Sequence, residues 1–290
     1  MTDERVRLQR DEASGIATIT LDNPERRNCY DPPMRQQMSD FLDDLAVDDA
    51  IKVVVLRGEG GIFSTGADMG NAYLWYDPDD PSSANGKARR PSQRRRISVD
   101  RRTFGFYHEF LGYPKVTVAE VQGYALGGGF ELALMADIAV VGSETLVGMP
   151  GTRLLGPALG SLHMFFHRLG SVQARRLLLT GDTVKASTLA DKDIFTEVVD
   201  DADVPARADY WARKIARMPA DGLVLAKEAF RLVEQLQAYQ GEEVLSYMFH
   251  AYGTNLQFDE GEFNFVKARA QHGTKRAFEL RDEHFEVPEP

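Results

Sequence analysis

Two short glycine stretches hold the residues whose types and spacing could do chemistry. The first is "GYALGGGFELALMAD", residues 123–137. Gly127, Gly128 and Gly129 run straight into an apolar helical pattern, and Glu131 stands in its first turn. Backbone N–H groups at a helix start lack intrahelical partners and lie at the positive end of the helix dipole. Glycine lets a ligand come close to that backbone. The arrangement suits a developing oxyanion, where one pre-positioned donor is typically worth about 3 kcal/mol in a transition state. A tight strand-to-helix turn with no ligand fits the tripeptide equally well. The phosphate-loop pattern GxxxxGK[ST] is absent. The second stretch is "FSTGADM", residues 63–69. There the Ala67 N–H is a candidate second donor; the plainer reading is a turn capped by Asp68.

Both stretches need a scaffold, and the rest of the chain supplies one. "VRLQRDEASGIATITLDN" reads as two strands around a turn. "PPMRQQMSDFLDDLAVD" has helical spacing at Met34, Met38, Phe41, Leu42 and Leu45, with prolines at its start. "IKVVVLRGEG" is a continuous apolar run closed by glycines, hence a buried strand. "KVTVAEVQG" and "DIAVVGS" are strands on either side of the glycine-led helix. Alternating strands and helices indicate an α/β chain with a largely parallel sheet. Beyond residue 157 helical patterns dominate, over 158–168, 171–180, 203–217, 219–236, 240–252 and 258–270, with "FTEVVD" as a lone strand signal. Residues 77–102, rich in Pro, Ser, Gly and charge, read as a solvated loop entering a charged helix. The sharper reading is a lid, or an arginine patch that attracts phosphate.

The composition narrows the function classes. The chain has 290 residues, 43% of them hydrophobic, enough for one large domain or a domain with an appended subdomain. A formal net charge of −10 argues against nucleic-acid binding. Cys29 is the only cysteine, which excludes an intrachain disulfide or a cysteine zinc site and suits a reducing compartment. The charged start "MTDERVRLQRDE" is no secretory signal, and no apolar run approaches a membrane span. The expectation is a cytoplasmic protein acting on a small molecule.

"FSTGADM" followed by "VQGYALGGGFELALMADI" resembles the crotonase superfamily, the enoyl-CoA hydratase/isomerase family. "ITLDNPERRN" is similar to that family's first strand and turn, and "LGSVQARRLLLTGDTVKASTLADKDIFTEVV" to its helical stretch after the active site. The resemblance covers nearly the whole chain. It implies an α/β fold: a crotonase-type spiral of ββα units over residues 1–200, carrying an acyl-CoA site, and a helical trimerisation region over 201–290. The implied assembly is a homotrimer or a dimer of trimers. Coenzyme A enters as part of the substrate, with no separate cofactor and no metal.

The resemblance also implies roles. The thioester oxygen accepts hydrogen bonds from the N–H groups of Ala67 and Gly128, and Glu131 orients or deprotonates the attacking water. The family's second glutamate is missing. Gly151 stands at its place in "VGMPGTRLLGPALG", and no acid occurs between Glu144 and Asp182. Losing a positioned general acid typically costs about 10²–10⁴-fold. The implied activity is thioester-enolate chemistry with one glutamate, a hydro-lyase by family. The alternatives are an acyl-CoA isomerase or decarboxylase, or a C–C (β-diketone) hydrolase of the same fold. His163, four residues before His167, is a candidate substitute acid/base near neutral pH. As a metal pair the two histidines lack a third ligand. Tyr73, Trp75 and Tyr76, with Gly151, are expected to line the acyl pocket. Arg26, Arg27, Lys267 and Arg269 are expected at the CoA moiety.

Overall fold

The computed structural model describes residues 4–70, 75–76, 91–155, 161–236, 243–248, 250 and 258–287. Six strands form the main sheet: β1 (Val6–Asp11), β2 (Ile16–Leu21), β3 (Val53–Gly58), β4 (Val116–Val121), β6 (Ile138–Gly142) and β9 (Glu197–Val199), in that spatial order. β1 pairs antiparallel with β2; every later pairing is parallel. Three short strands, β5 (Tyr124–Leu126), β7 (Leu146–Gly148) and β8 (Thr183–Lys185), form a second sheet. At three residues each, they are too short for a period-two pattern to reveal them in the sequence.

The alternation of β3 shows why its apolar run is unbroken. Val54 and Leu56 enter the main core, while Val53 and Val55 pack on the opposite face with Val118 and Val140. That second face is covered by α6 (Val204–Ala216) through Val204, Ala208 and Ala212. On the first face lie α1 (Pro32–Ala46), α2 (Gln93–Leu111), α3 (Gly128–Met135) and α5 (Leu162–Thr180), with the one-turn α4 (Thr152–Leu155) leading into the last. α1 starts as its prolines predict, and the Asp31 side chain accepts the Met34 N–H as a cap. Its buried residues Met34, Met38, Leu42 and Leu45 trace one helical face.

The helical part departs from the sequence reading in places. α5 joins the two expected helices across a break at Gly170, whose φ is +66°. α7 (Ala220–Leu236) lies where expected, and residues 243–248 are helical; the rest of 240–252 apart from His250 lies outside the described residues. The last helix, α8 (Phe265–Phe285), starts later and runs much further than the expected 258–270. Gly273 interrupts it at φ +78°, and this glycine hid its continuation. Of the charged segment 77–102, residues 77–90 lie outside the described residues. The remainder opens α2, where Arg96 and Asp100 are buried rather than solvated. Among the described residues, no helix is long and apolar enough to cross a membrane.

Candidate active site

The two glycine stretches meet. Ser64 bridges to Ala125: its N–H donates to the Tyr124 carbonyl at 2.8 Å, and its own carbonyl accepts the Leu126 N–H at 3.0 Å. This lays the 63–69 segment along β5, directly before the glycine-led helix. Gly66 (φ +80°) faces the start of α3 so closely that a Cβ on it would stand 2.6 Å from the Gly128 nitrogen. Tyr30 holds the next residue from the other side. Its N–H donates to the Gly66 carbonyl and its carbonyl accepts the Asp68 N–H, both at 2.9 Å. In this parallel bridge the bonds go to the residues flanking Ala67, so the Ala67 N–H points away from Tyr30.

Among the described residues, neither the Ala67 N–H nor the Gly128 N–H has a hydrogen-bond partner. Gly127 caps α3 with φ +57°, a conformation that favours glycine, and its carbonyl accepts from Phe130 and Glu131. Gly128, the first residue of α3, is left as an orphan donor at the positive end of the helix dipole. Glu131 lies in the same first turn and is buried, with 4% exposure. Its Oε1 accepts the Ser161 N–H at 3.1 Å, so the N-cap of α5 orients the carboxyl. The site thus offers two backbone donors from separate loops and a buried carboxyl within one helical turn.

Two tyrosines complete the floor. The Tyr30 and Tyr107 hydroxyls hydrogen-bond at 2.5 Å and are buried. Both stand where a Cβ on residue 128 would be, 2.2 and 2.1 Å from that position. Burial pushes both phenols above their ordinary range; the charge of Glu131 pushes the same way and Arg35 opposes it. Tyr107 comes from α2, whose buried stripe Arg96, Asp100, Phe104, Tyr107 and Leu111 has helical spacing. Sequence reading missed Tyr30, Tyr107 and Ser161. The helical spacing of α2 could have placed Tyr107 on the inner face, but nothing local marks the other two.

The other expected residues divide. Gly151 starts the turn into α4, and among the described residues a Cβ there would meet only the Met149 sulfur, at 3.8 Å. His163 lies half-buried in the first turn of α5 and stacks on His167 at 5.6 Å. Burial and the neighbouring His167 lower its pKa, so it is more often neutral. Among the described residues its buried Nε2 has no hydrogen-bond partner. Tyr73 lies outside the described residues. Trp75 is half-buried, and the Tyr76 hydroxyl donates to Asp100 at 2.7 Å beside His250, in a polar cluster on the α2 stripe.

Of the four basic residues, two reach the Ala67 loop. Arg26 pairs with Asp68 at 2.7 Å, and the buried Arg269 donates to the Met69 carbonyl at 2.6 Å. Arg27 instead lies over the Tyr124 ring at 4.8 Å, and Lys267 is exposed on α8. A separate cavity of about 360 Å³, lined by Leu111, Asp137, Arg168, Lys227, Phe230 and Glu234 among others, includes none of Ala67, Gly128 or Glu131. Its wall holds the part-buried pair of Lys227 and Asp137 at 2.6 Å, which ties α7 to the end of α3.

The family model described as enoyl-CoA hydratase/isomerase matches residues 11–275. The chain belongs to the enoyl-CoA hydratase/isomerase family. Its sequence is 27% identical over 277 residues to the "Probable enoyl-CoA hydratase" of Mycobacterium bovis, covering 95% of this chain and all of that one. It is 29% identical to the 1,2-epoxyphenylacetyl-CoA isomerase of Escherichia coli, over 76% of this chain and 80% of the relative. A crystal structure of an enoyl-CoA hydratase from Mycobacterium smegmatis superposes with a TM-score of 0.80 at 26% identity, covering 97% of this chain and 94% of that one. The fold is therefore the crotonase fold, and the chain is an acyl-CoA enzyme of the enoyl-CoA hydratase/isomerase family. Relatives bearing hydratase and isomerase names stand at similar identity, so family membership alone does not choose between the two reactions.

Proposed function

We propose that this enzyme forms a thioester enolate between the Ala67 and Gly128 N–H groups and adds water to a 2-enoyl-CoA, with Glu131 as base. The observation that carries the reading is the meeting of two unpartnered backbone donors beside one buried carboxyl. Electron density moves onto the thioester oxygen as water attacks the β-carbon. Fixed N–H donors then gain strength without reorganising. Glu131 takes the water's proton, and Ser161 keeps its carboxyl aimed. Arg26, about half exposed beside the Ala67 loop, suits the phosphates of coenzyme A. The exposed apolar residues Leu225, Phe230, Leu232, Val233 and Leu236 on α7 support an assembly of copies such as a trimer.

A second reading is allylic isomerisation, in which one base moves a proton between two carbons. The glycine at 151 favours it, because among the described residues no carboxylate lies within 4 Å of where its Cβ would stand. The β-diketone hydrolase reading leans on His163, whose buried Nε2 has no hydrogen-bond partner among the described residues. A panel of acyl-CoA thioesters followed by mass spectrometry separates these outcomes. Hydration adds one water mass, isomerisation changes retention without mass, and decarboxylation loses carbon dioxide. Absence of binding or turnover across the panel would overturn the acyl-CoA reading for this site.

The same position allows a constructive test. Gly151→Glu should fold normally, since among the described residues its Cβ meets only Met149. On crotonyl-CoA its hydration kcat should rise about tenfold, short of the ~10²–10⁴ that a fully positioned acid supplies. Circular dichroism and steady-state rates check both halves.

A further inference from the structure

Hydration leaves the α-carbon in need of a proton, and Gly151 removes the family's usual source. We propose that Tyr30 and Tyr107 act together as the proton donor to that carbon. The proposal rests on the enolate reading above.

Three observations converge on the pair. Both hydroxyls adjoin Gly128 on the side its Cβ would take, next to one of the two proposed oxyanion donors. Glycine at 128 makes this possible, since any Cβ would occupy their place. The hydroxyls bond to each other at 2.5 Å. Two phenols carry two protons, and one internal bond uses only one of them, which leaves a proton to deliver. The charge of Glu131 acts on both rings, so the base and the pair share one electrostatic environment. Burial raises both phenols, which keeps them protonated; they enter the reaction as acids, not as bases.

The step balances. Water's oxygen bonds to the β-carbon, and its proton passes to the Glu131 carboxylate. The electron pair of the carbon–carbon double bond shifts into the thioester, giving the enolate. A phenol then gives its proton to the α-carbon as the thioester carbonyl re-forms. The resulting phenolate takes the proton from the Glu131 carboxyl. Water has been added across the double bond, the protein is unchanged, and no oxidant or reductant takes part.

The test uses crotonyl-CoA in deuterium oxide with the full chain, comparing wild type, Tyr30→Phe and Tyr107→Phe. Each substitution removes one hydroxyl and keeps the ring. The expected result is a kcat lowered by about 10²-fold or more, with KM little changed. Wild-type product should carry deuterium at the α-carbon with one stereochemistry. Residual product from the variants should lose that preference, because solvent delivers the deuteron from either side. A hydrogen bond that only supported packing would leave the stereochemistry intact. Wild-type rates with stereospecific labelling in both variants would overturn the proposal. If the wild type neither binds nor converts crotonyl-CoA or any other thioester, the enolate reading falls, and this inference with it. Should a phenylalanine variant fail to fold, 3-fluorotyrosine at position 107 keeps the hydroxyl and lowers its pKa. With crotonyl-CoA at fixed pH, kcat should then change while the stereospecific labelling is kept; an unchanged kcat counts against the proposal.

Discussion

Glu131→Gln should leave a folded protein that binds acyl-CoA and turns it over about 10²–10⁴-fold more slowly. The substitution suits the question because of how Glu131 is held. Its Oε1 accepts the Ser161 N–H, and a glutamine carbonyl can accept the same bond. The N-cap of α5 therefore keeps its anchor, and the melting curve should not shift. What disappears is the capacity to take a proton. The loss should fall on kcat rather than on KM, since the carboxylate is proposed to act on water and not on the CoA moiety. Steady-state rates over the thioester panel, beside thermal melts, check the prediction. Retained turnover would assign the base to another residue, and His163 is the obvious heir.

Gly66→Ala should be nearly as damaging, by a different route. The new Cβ would stand 2.6 Å from the Gly128 nitrogen and 2.7 Å from the Leu126 carbonyl, both backbone atoms. The residue also sits at φ +80°, where an L side chain is strained by about 1–2 kcal/mol. Backbone cannot yield as a flexible side-chain tip can, so the Ala67 loop must move off α3. That separates the two N–H donors, and losing one such donor costs about 10²–10³-fold in kcat. Here stability should fall along with rate, which sets this variant apart from Glu131→Gln. Parallel melts and kinetics would show it; wild-type kcat would mean that the juxtaposition of the two loops is not needed for the reaction.

The sequence disclosed the candidate site unevenly, for physical reasons. Gly128 and Glu131 were readable because their relation is local: a helix start and its first turn lie within four consecutive residues. The parallel sheet was readable because β3, buried on both faces, leaves an unbroken apolar run. Tyr30, Tyr107 and Ser161 were not, because their contacts span 77 and 30 positions and exist only once the layers pack. Arg96 and Asp100 misled for a related reason. They sit in a highly charged run, yet one face of α2 turns inward and takes both with it. Ala67 stands between the two cases: its glycine turn is visible in the sequence, but its outward N–H depends on Tyr30 clamping the residues on either side.

Tyr30 belongs to both halves of the site in two separable ways. Its backbone pins the Ala67 loop, and that grip is indifferent to the side chain it carries. Its hydroxyl, by contrast, is a chemical group that any mutation at the codon can delete or replace. Position 30 therefore separates two properties: a substitution there removes the hydroxyl bond to Tyr107 while the backbone clamp on the Ala67 loop is retained.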